Sequence, residues 1–127
     1  MRNRIFNKTL GQCGEDAAAA YLKKNKYKII ERNYRNKAGE IDIIAQKKDD
    51  LVFVEVKTRS SDAFGTPSEA VTYYKKRNIV TAAKWYLAKN PTELNISFDV
   101  IEVYGLFSGD RFELETINHL KQVFREV

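Results

Sequence analysis

The chain has 127 residues, 43% of them hydrophobic and 31% charged, with a net charge of +5; this is the composition of a single globular domain spanning 1–127, and it argues against disorder and against two domains. No apolar run reaches membrane-spanning length and the start lacks the apolar core of a signal peptide, so a cytoplasmic protein with no membrane partner is expected. The lone cysteine, Cys13, and the lone histidine, His119, exclude an internal disulfide and a zinc-type cluster, leaving oxygen ligands as the available metal chemistry.

Charge is spread unevenly. Residues 1–37 hold ten Lys/Arg against three acids, 68–90 hold five against one, and 96–127 are acidic. Such asymmetry suits a phosphate polyanion approaching one side, although a solvated face on an ordinary basic protein would look the same.

After a short basic tail, Leu10, Cys13, Ala17, Ala18, Tyr21 and Leu22 recur at three- and four-residue steps and predict a helix from about Thr9 to Asn25. The alanines Ala17 to Ala20 would let that helix lie close against a sheet. Glu15 projects from the edge of the inward face, either as a further acid at a functional site or as a first-turn carboxylate favouring the helix start. Asp16 points elsewhere and is read as solvated, and Cys13 as a small buried apolar residue. Tyr27–Tyr34 reads as a strand, whose Arg32, Asn33 and Arg35 either touch phosphate or protect an edge.

Residues 39–59, GEIDIIAQKKDDLVFVEVKTR, organise the rest. Two β-branched-rich runs flank Lys47-Lys48-Asp49-Asp50, which predicts a hairpin pairing Ala45 with Val52, Ile43 with Val54 and Ile41 with Val56 on one aliphatic face. The other face then carries Ile44 opposite Phe53, Asp42 opposite Glu55 and Glu40 opposite Lys57. Two carboxylates directly across a strand pair repel, and a divalent cation removes the objection. Asp42 and Glu55 are therefore expected to ligate Mg²⁺ or Mn²⁺, with the Val56 carbonyl as a further oxygen, in a site for phosphodiester hydrolysis. Lys57 would position the water or stabilise developing charge, a safer role than base because neighbouring carboxylates favour the ammonium. Glu40 would extend the metal shell or hold Lys57. Thr58 and Arg59, at the strand exit, are candidates for phosphate contact, with a surface salt bridge the other reading of Arg59.

Residues 60–66 form a loop in which Phe64 either stacks on a base or staples into the core. Thr66-Pro67-Ser68-Glu69 marks a helix start, and an apolar stripe carries that helix to about Asn90 with Trp85 at its border. Lys75 turns toward the packed side and is read as a phosphate contact, with Lys76 and Arg77 as general electrostatic surface. Residues 96–104, ISFDVIEVY, form a strand, and the preceding helix is a crossover that would allow parallel pairing. Asp99 within it is read as a paired structural carboxylate. Phe107–Asp110 is predicted as a turn, Arg111–Thr116 as an edge strand and Ile117–Val127 as a short helix. His119 sits among structural signals, despite the aptness of imidazole for acid–base work.

Asp42, twelve residues, then Glu55-Val56-Lys57 resembles the signature of the PD-(D/E)xK nucleases, a superfamily that includes restriction endonucleases and Holliday junction resolvases. Gly39-Glu40-Ile41-Asp42, Phe53–Arg59, Phe64-Gly65 and Glu69-Ala70-Val71 resemble more closely the YraN-like bacterial proteins, over nearly the whole chain. Ile41 stands where the superfamily name places Pro. The resemblance implies a restriction endonuclease-like α-β-β-β-α-β core, a mixed sheet flanked by helices. It also implies a first-helix acid at the metal, Glu15, and a lysine at Lys75.

The expected function is a Mg- or Mn-dependent endonuclease hydrolysing DNA, at branched or otherwise structured sites. The alternative is a non-catalytic nucleic-acid-binding module with a nuclease-like fold, and a third reading is a structural ion-pair network of Asp42, Glu55 and Lys57. A homodimer would serve if both strands are cut.

Overall fold

The computed structural model describes residues 8–60 and 73–124, with side chains of the second stretch described from 78 to 123. In chain order the elements are α1 (Leu10–Lys24), β1 (Lys28–Asn36), β2 (Gly39–Lys47), β3 (Asp50–Ser60), α2 (Tyr73–Lys89), β4 (Asn95–Ser108) and β5 (Arg111–Phe124). The expected loop with Phe64, the Thr66 helix start and the side chains of Lys75, Lys76 and Arg77 lie outside the described residues.

The helix α1 begins at a reciprocal cap. The Gln12 amide donates to the Thr9 hydroxyl while the Thr9 amide donates to the Gln12 side chain, and Lys23 and Lys24 sit in the last turn, at the negative end of the helix.

The β2–β3 hairpin has the register that the sequence predicts, from Lys47↔Asp50 through Ala45↔Val52 to Ile43↔Val54. Its turn is the two residues Lys48 and Asp49, with Lys48 at φ 54°. The crossover through α2 then brings β4 parallel to β3, from Asp50↔Asn95 to Ser60↔Gly105. Antiparallel β1 and β5 complete a five-stranded sheet in the order β1-β2-β3-β4-β5.

Alternation along the strands divides the core between two helices. Ile43, Ala45, Val52, Val54 and Val56 pack with Ala18, Ala19 and Leu22 of α1. Ile44, Leu51, Phe53 and Phe98 pack with Ile79, Ala82, Ala83 and Tyr86 of α2. The result is an α/β fold with a mixed sheet between two helices, and Trp85 is exposed at the border of the α2 stripe as expected. The small face of α1 permits its close approach: a Cβ placed on Gly14 would overlap the Thr58 side chain of β3. Among the described residues no helix is long and apolar enough to cross a membrane.

Three expectations are corrected. The segment from Ile117 is strand, not helix, and continues β5 to Phe124. Leu120 and Phe124 are four residues apart because β5 bulges there: it places that interval against only Val100 to Phe98 on β4. A bulged strand thus mimics helical spacing. Phe107 and Ser108 belong to β4, pairing with Phe112 and Arg111, so the turn narrows to Gly109-Asp110. Finally, Ile41 packs in the α2-side cluster instead of beside Ile43, because the alternation of β2 slips at Asp42.

Candidate active site

Ile43↔Val54 is the last pair of the β2–β3 ladder, yet β2 stays alongside β1 to Gly39 and β3 stays alongside β4 to Ser60. The sheet forks there. Asp42 and Glu40 stand on one prong, Glu55 and Lys57 on the other, instead of completing the antiparallel pairs expected of them.

Asp42 bridges the fork. Its Oδ2 accepts the Val56 N–H at 2.8 Å, so a carboxylate occupies the place a strand carbonyl would take in an unbroken ladder. On β1, Asn33 falls opposite Asp42, between the pairs Arg32↔Ile43 and Tyr34↔Ile41, and its φ of 54° is left-handed. Asparagine tolerates that conformation better than most residues. Its side chain favours the charged form of Glu15, which α1 brings toward the same region.

Acid is concentrated here. Burial pushes the Asp42 carboxyl up to about 7, and the negative charges of Glu55, Glu15 and Glu40 push the same way against the single Val56 hydrogen bond. Glu15 is also raised, first by burial and then by Glu40 and Asp16, with Arg32 and Asn33 opposing. On the other prong Glu55 is buried, and Lys57 Nζ lies 3.6 Å from its Oε2. Glu102 of β4 is the register neighbour of Lys57, buried, and accepts from Asn118 Nδ2 at 3.2 Å.

The fork therefore brings Asp42, Glu55, Lys57 and Glu15 into one neighbourhood, and the remaining candidates divide. Glu40 faces Arg35, with its Oε2 3.5 Å from Arg35 Nε. Thr58 is covered by Gly14 on the α1 face, which makes it a packing residue, whereas Arg59 is exposed. Val56 enters through its amide, where the sequence singled out its carbonyl. The Asp16 side chain reaches solvent as expected and is also ion-paired with Lys8 and Arg32, which gives Arg32 a structural partner. Those bonds hold Asp16 below the usual carboxylate range although burial works against them.

Glu102 escaped the sequence reading, although it carried the signal of an acid within an apolar run, and Asn33 was weighed there only as a phosphate contact or an edge residue.

Among the described residues no three His, Cys, Asp or Glu side chains converge closely enough to form a metal cage. The donors present are carboxylates, the kind of oxygen ligand that magnesium takes together with water and substrate phosphate.

A second polar cluster lies apart from the fork. Asp99 accepts from Ser97 Oγ at 2.7 Å, from the Gln122 amide at 3.0 Å and from His119 Nε2 at 2.7 Å. Burial opposes its charge, but these bonds, His119 first, hold the carboxyl below its ordinary range. His119 Nδ1 meets the Tyr21 hydroxyl at 3.0 Å, tying β5 to α1. Asp99 is a paired carboxylate, as expected.

Comparison with known proteins places this chain beside proteins of similar size. A family model described as "Uncharacterised protein family UPF0102" matches residues 14–103. A UPF0102 protein of Caldanaerobacter subterraneus subsp. tengcongensis is 47% identical over 122 residues, covering 95% of this chain and 98% of that one. One from Clostridium acetobutylicum is 48% identical, over 93% of this chain and 98% of its own. One from Alkaliphilus oremlandii is also 48% identical, over 94% of this chain and its full length of 100%.

Proposed function

The chain belongs to the UPF0102 family, and from the chemistry of its forked sheet we propose that it is a metal-dependent nuclease hydrolysing DNA phosphodiester bonds. The observation that carries this reading is Asp42: a carboxyl raised to about 7 by burial and by Glu55, Glu15 and Glu40, where the β2–β3 ladder ends. A fold with no other use for that charge would not assemble it.

A divalent cation fits the donor set, with Asp42 and Glu55 holding it, the Val56 carbonyl adding an oxygen and Glu15 in support. When bound, Mg²⁺ or Mn²⁺ would polarise the scissile phosphate and make water a better nucleophile at neutral pH. The chain's own residues do the rest. The Val56 amide holds the Asp42 carboxylate in the mouth of the fork. Lys57, with Glu55 at its side, presents positive charge to the negative charge that grows on phosphorus-bound oxygens as water attacks and the ester oxygen leaves. Arg59, Lys75, Lys76 and Arg77 would receive the flanking phosphates.

The proposal extends to fold and setting: the element order α-β-β-β-α-β, the parallel β3–β4 pair and the acids at the fork support a restriction endonuclease-like core of the PD-(D/E)xK superfamily, acting in the cytoplasm. The absence of a three-residue cage among the described residues favours one other reading, a nucleic-acid-binding module without catalysis. The two separate in one experiment. Purified protein is incubated with branched, flapped, nicked and linear DNA in Mn²⁺, in Mg²⁺ and in EDTA, beside Lys57→Ala and Asp42→Asn. Cleavage that needs metal and is lost in both variants supports the nuclease. Binding without cleavage on every substrate supports the module.

A further inference from the structure

In β4 the buried run from Val100 to Val103 is apolar but for one acid, Glu102, which is 3% exposed. Ile101 and Val103 pack with α1, so strand alternation turns Glu102 to the opposite face of the sheet. Val54 and Val56 also pack with α1, which turns Glu55 and Lys57 to that same face. Lys57↔Glu102 across β3 and β4, and Glu102↔Asn118 across β4 and β5, are consecutive register pairs, so the three side chains form a row across three strands. The row lies in a regular part of the β4–β5 ladder, whose two bulges fall on either side of the pairs from Val100↔Leu120 to Tyr104↔Thr116.

A buried carboxylate needs compensation, because leaving water costs an ion more than one neutral hydrogen bond returns. Asn118 Nδ2 gives Glu102 one such bond, to Oε1 at 3.2 Å. Lys57 is the cation that the register sets beside it.

The lysine gains as much from this neighbour as the acid does. Its ammonium is a point charge on a flexible four-carbon stem, and it acts at one place only if it is held there. Glu55 holds it from one side, with Lys57 Nζ 3.6 Å from Oε2, longer than the about 2.7–2.9 Å of a close charge-assisted hydrogen bond. On the reading of the fork as a cation site, Glu55 also gives its charge to the metal. Glu102 is then the acid left to hold the lysine.

We propose that Glu102 is the positioning residue for Lys57, holding its ammonium at the fork, and that Asn118 holds Glu102 in turn. The inference rests on the nuclease reading for what Lys57 does at the fork, but the pairing of the two residues does not depend on hydrolysis.

The test uses the full chain with Glu102→Gln, Lys57→Met, the two combined, and Asn118→Ala. Glutamine keeps an acceptor for Asn118 and the length of the side chain while removing the charge, and Asn118 is exposed, so Asn118→Ala loosens Glu102 without opening the core. Stability is read first, as the urea midpoint in EDTA. In the wild-type background Glu102→Gln removes an attraction to the ammonium and should lower the midpoint. In the Lys57→Met background the acids Glu55 and Glu102 have lost the lysine, so the same substitution should leave the midpoint unchanged or raise it. A shift of the same sign and size in both backgrounds overturns the inference.

Cleavage of DNA in Mn²⁺ then separates positioning from packing. Glu102→Gln should lower kcat about tenfold or more with KM within about twofold of wild type, the pattern of a contact that matters in the transition state. Asn118→Ala should lower kcat in the same direction by less. An unchanged kcat in folded Glu102→Gln overturns the inference. Coupled midpoints in a chain that cuts no DNA leave this inference standing while the nuclease reading falls; a chain that cuts while the midpoints are uncoupled overturns the inference alone.

Discussion

The Val56 amide donates to Asp42 Oδ2 at 2.8 Å where the ladder between β2 and β3 ends, so one side chain both closes the sheet and supplies the central acid of the fork. These two roles separate by substitution. Asp42→Asn keeps an oxygen acceptor for Val56 and removes the charge, whereas Asp42→Ala leaves the amide without its partner. In metal-free buffer at pH 8 Asp42→Ala should lose about 1–3 kcal/mol relative to Asp42→Asn, read from urea denaturation.

The pH dependence of metal-free stability follows from the same carboxyl. Its folded value of about 7 lies above the ordinary aspartate value, so between roughly pH 4 and pH 7 the native state holds a proton that the unfolded state has released. Stability therefore falls as pH rises through that window, and Glu15, raised in the same sense, adds to the slope. Asp99 acts oppositely and lower: its depressed value favours the fold above the ordinary carboxylate range, and that contribution is lost only as pH falls below it. Denaturation midpoints in EDTA should decline from pH 5 to pH 8 for wild type, and Asp42→Asn should flatten the decline.

Much of this arrangement was legible in the sequence. The tetrapeptide Lys47–Asp50 set the hairpin, and β-branched alternation on both sides set its register as far as Ile43 and Val54. What came next was not legible. Strand periodicity assumes a continuous ladder, and it put Asp42 opposite Glu55; the left-handed Asn33 on the neighbouring strand and the Val56 amide decide otherwise, and both are tertiary facts. The second half of β5, from Ile117, was missed for a related reason. Its bulge, with the Gln122 amide turned into Asp99, spaces Leu120 and Phe124 as a helix would.

Gly14 fixes how closely α1 lies on β3, and hence where Glu15 sits. Gly14→Ala should cost about 1–3 kcal/mol, because the added methyl overlaps the Thr58 side chain. Thr58→Ala in the same chain should recover part of the loss, and chemical denaturation of the two single variants and the double measures the coupling.

His119 should affect stability and not turnover. Its ring bonds Asp99 and Tyr21, away from the fork, so His119→Ala should destabilise by about 1–3 kcal/mol. Any cleavage measured well below the melting temperature should be unchanged. A loss of turnover in folded His119→Ala would place the imidazole in the chemistry.

The most direct test of the cation site is the melting temperature of wild type and Asp42→Asn at pH 8, each in EDTA and in Mn²⁺. Metal should raise the melting temperature of wild type and leave Asp42→Asn unmoved, and without metal Asp42→Asn should melt no lower than wild type because a repulsion is relieved. If Mn²⁺ leaves wild type unchanged and Asp42→Asn melts lower in EDTA, the acids at the fork are structural partners and the account of a metal-dependent nuclease is contradicted.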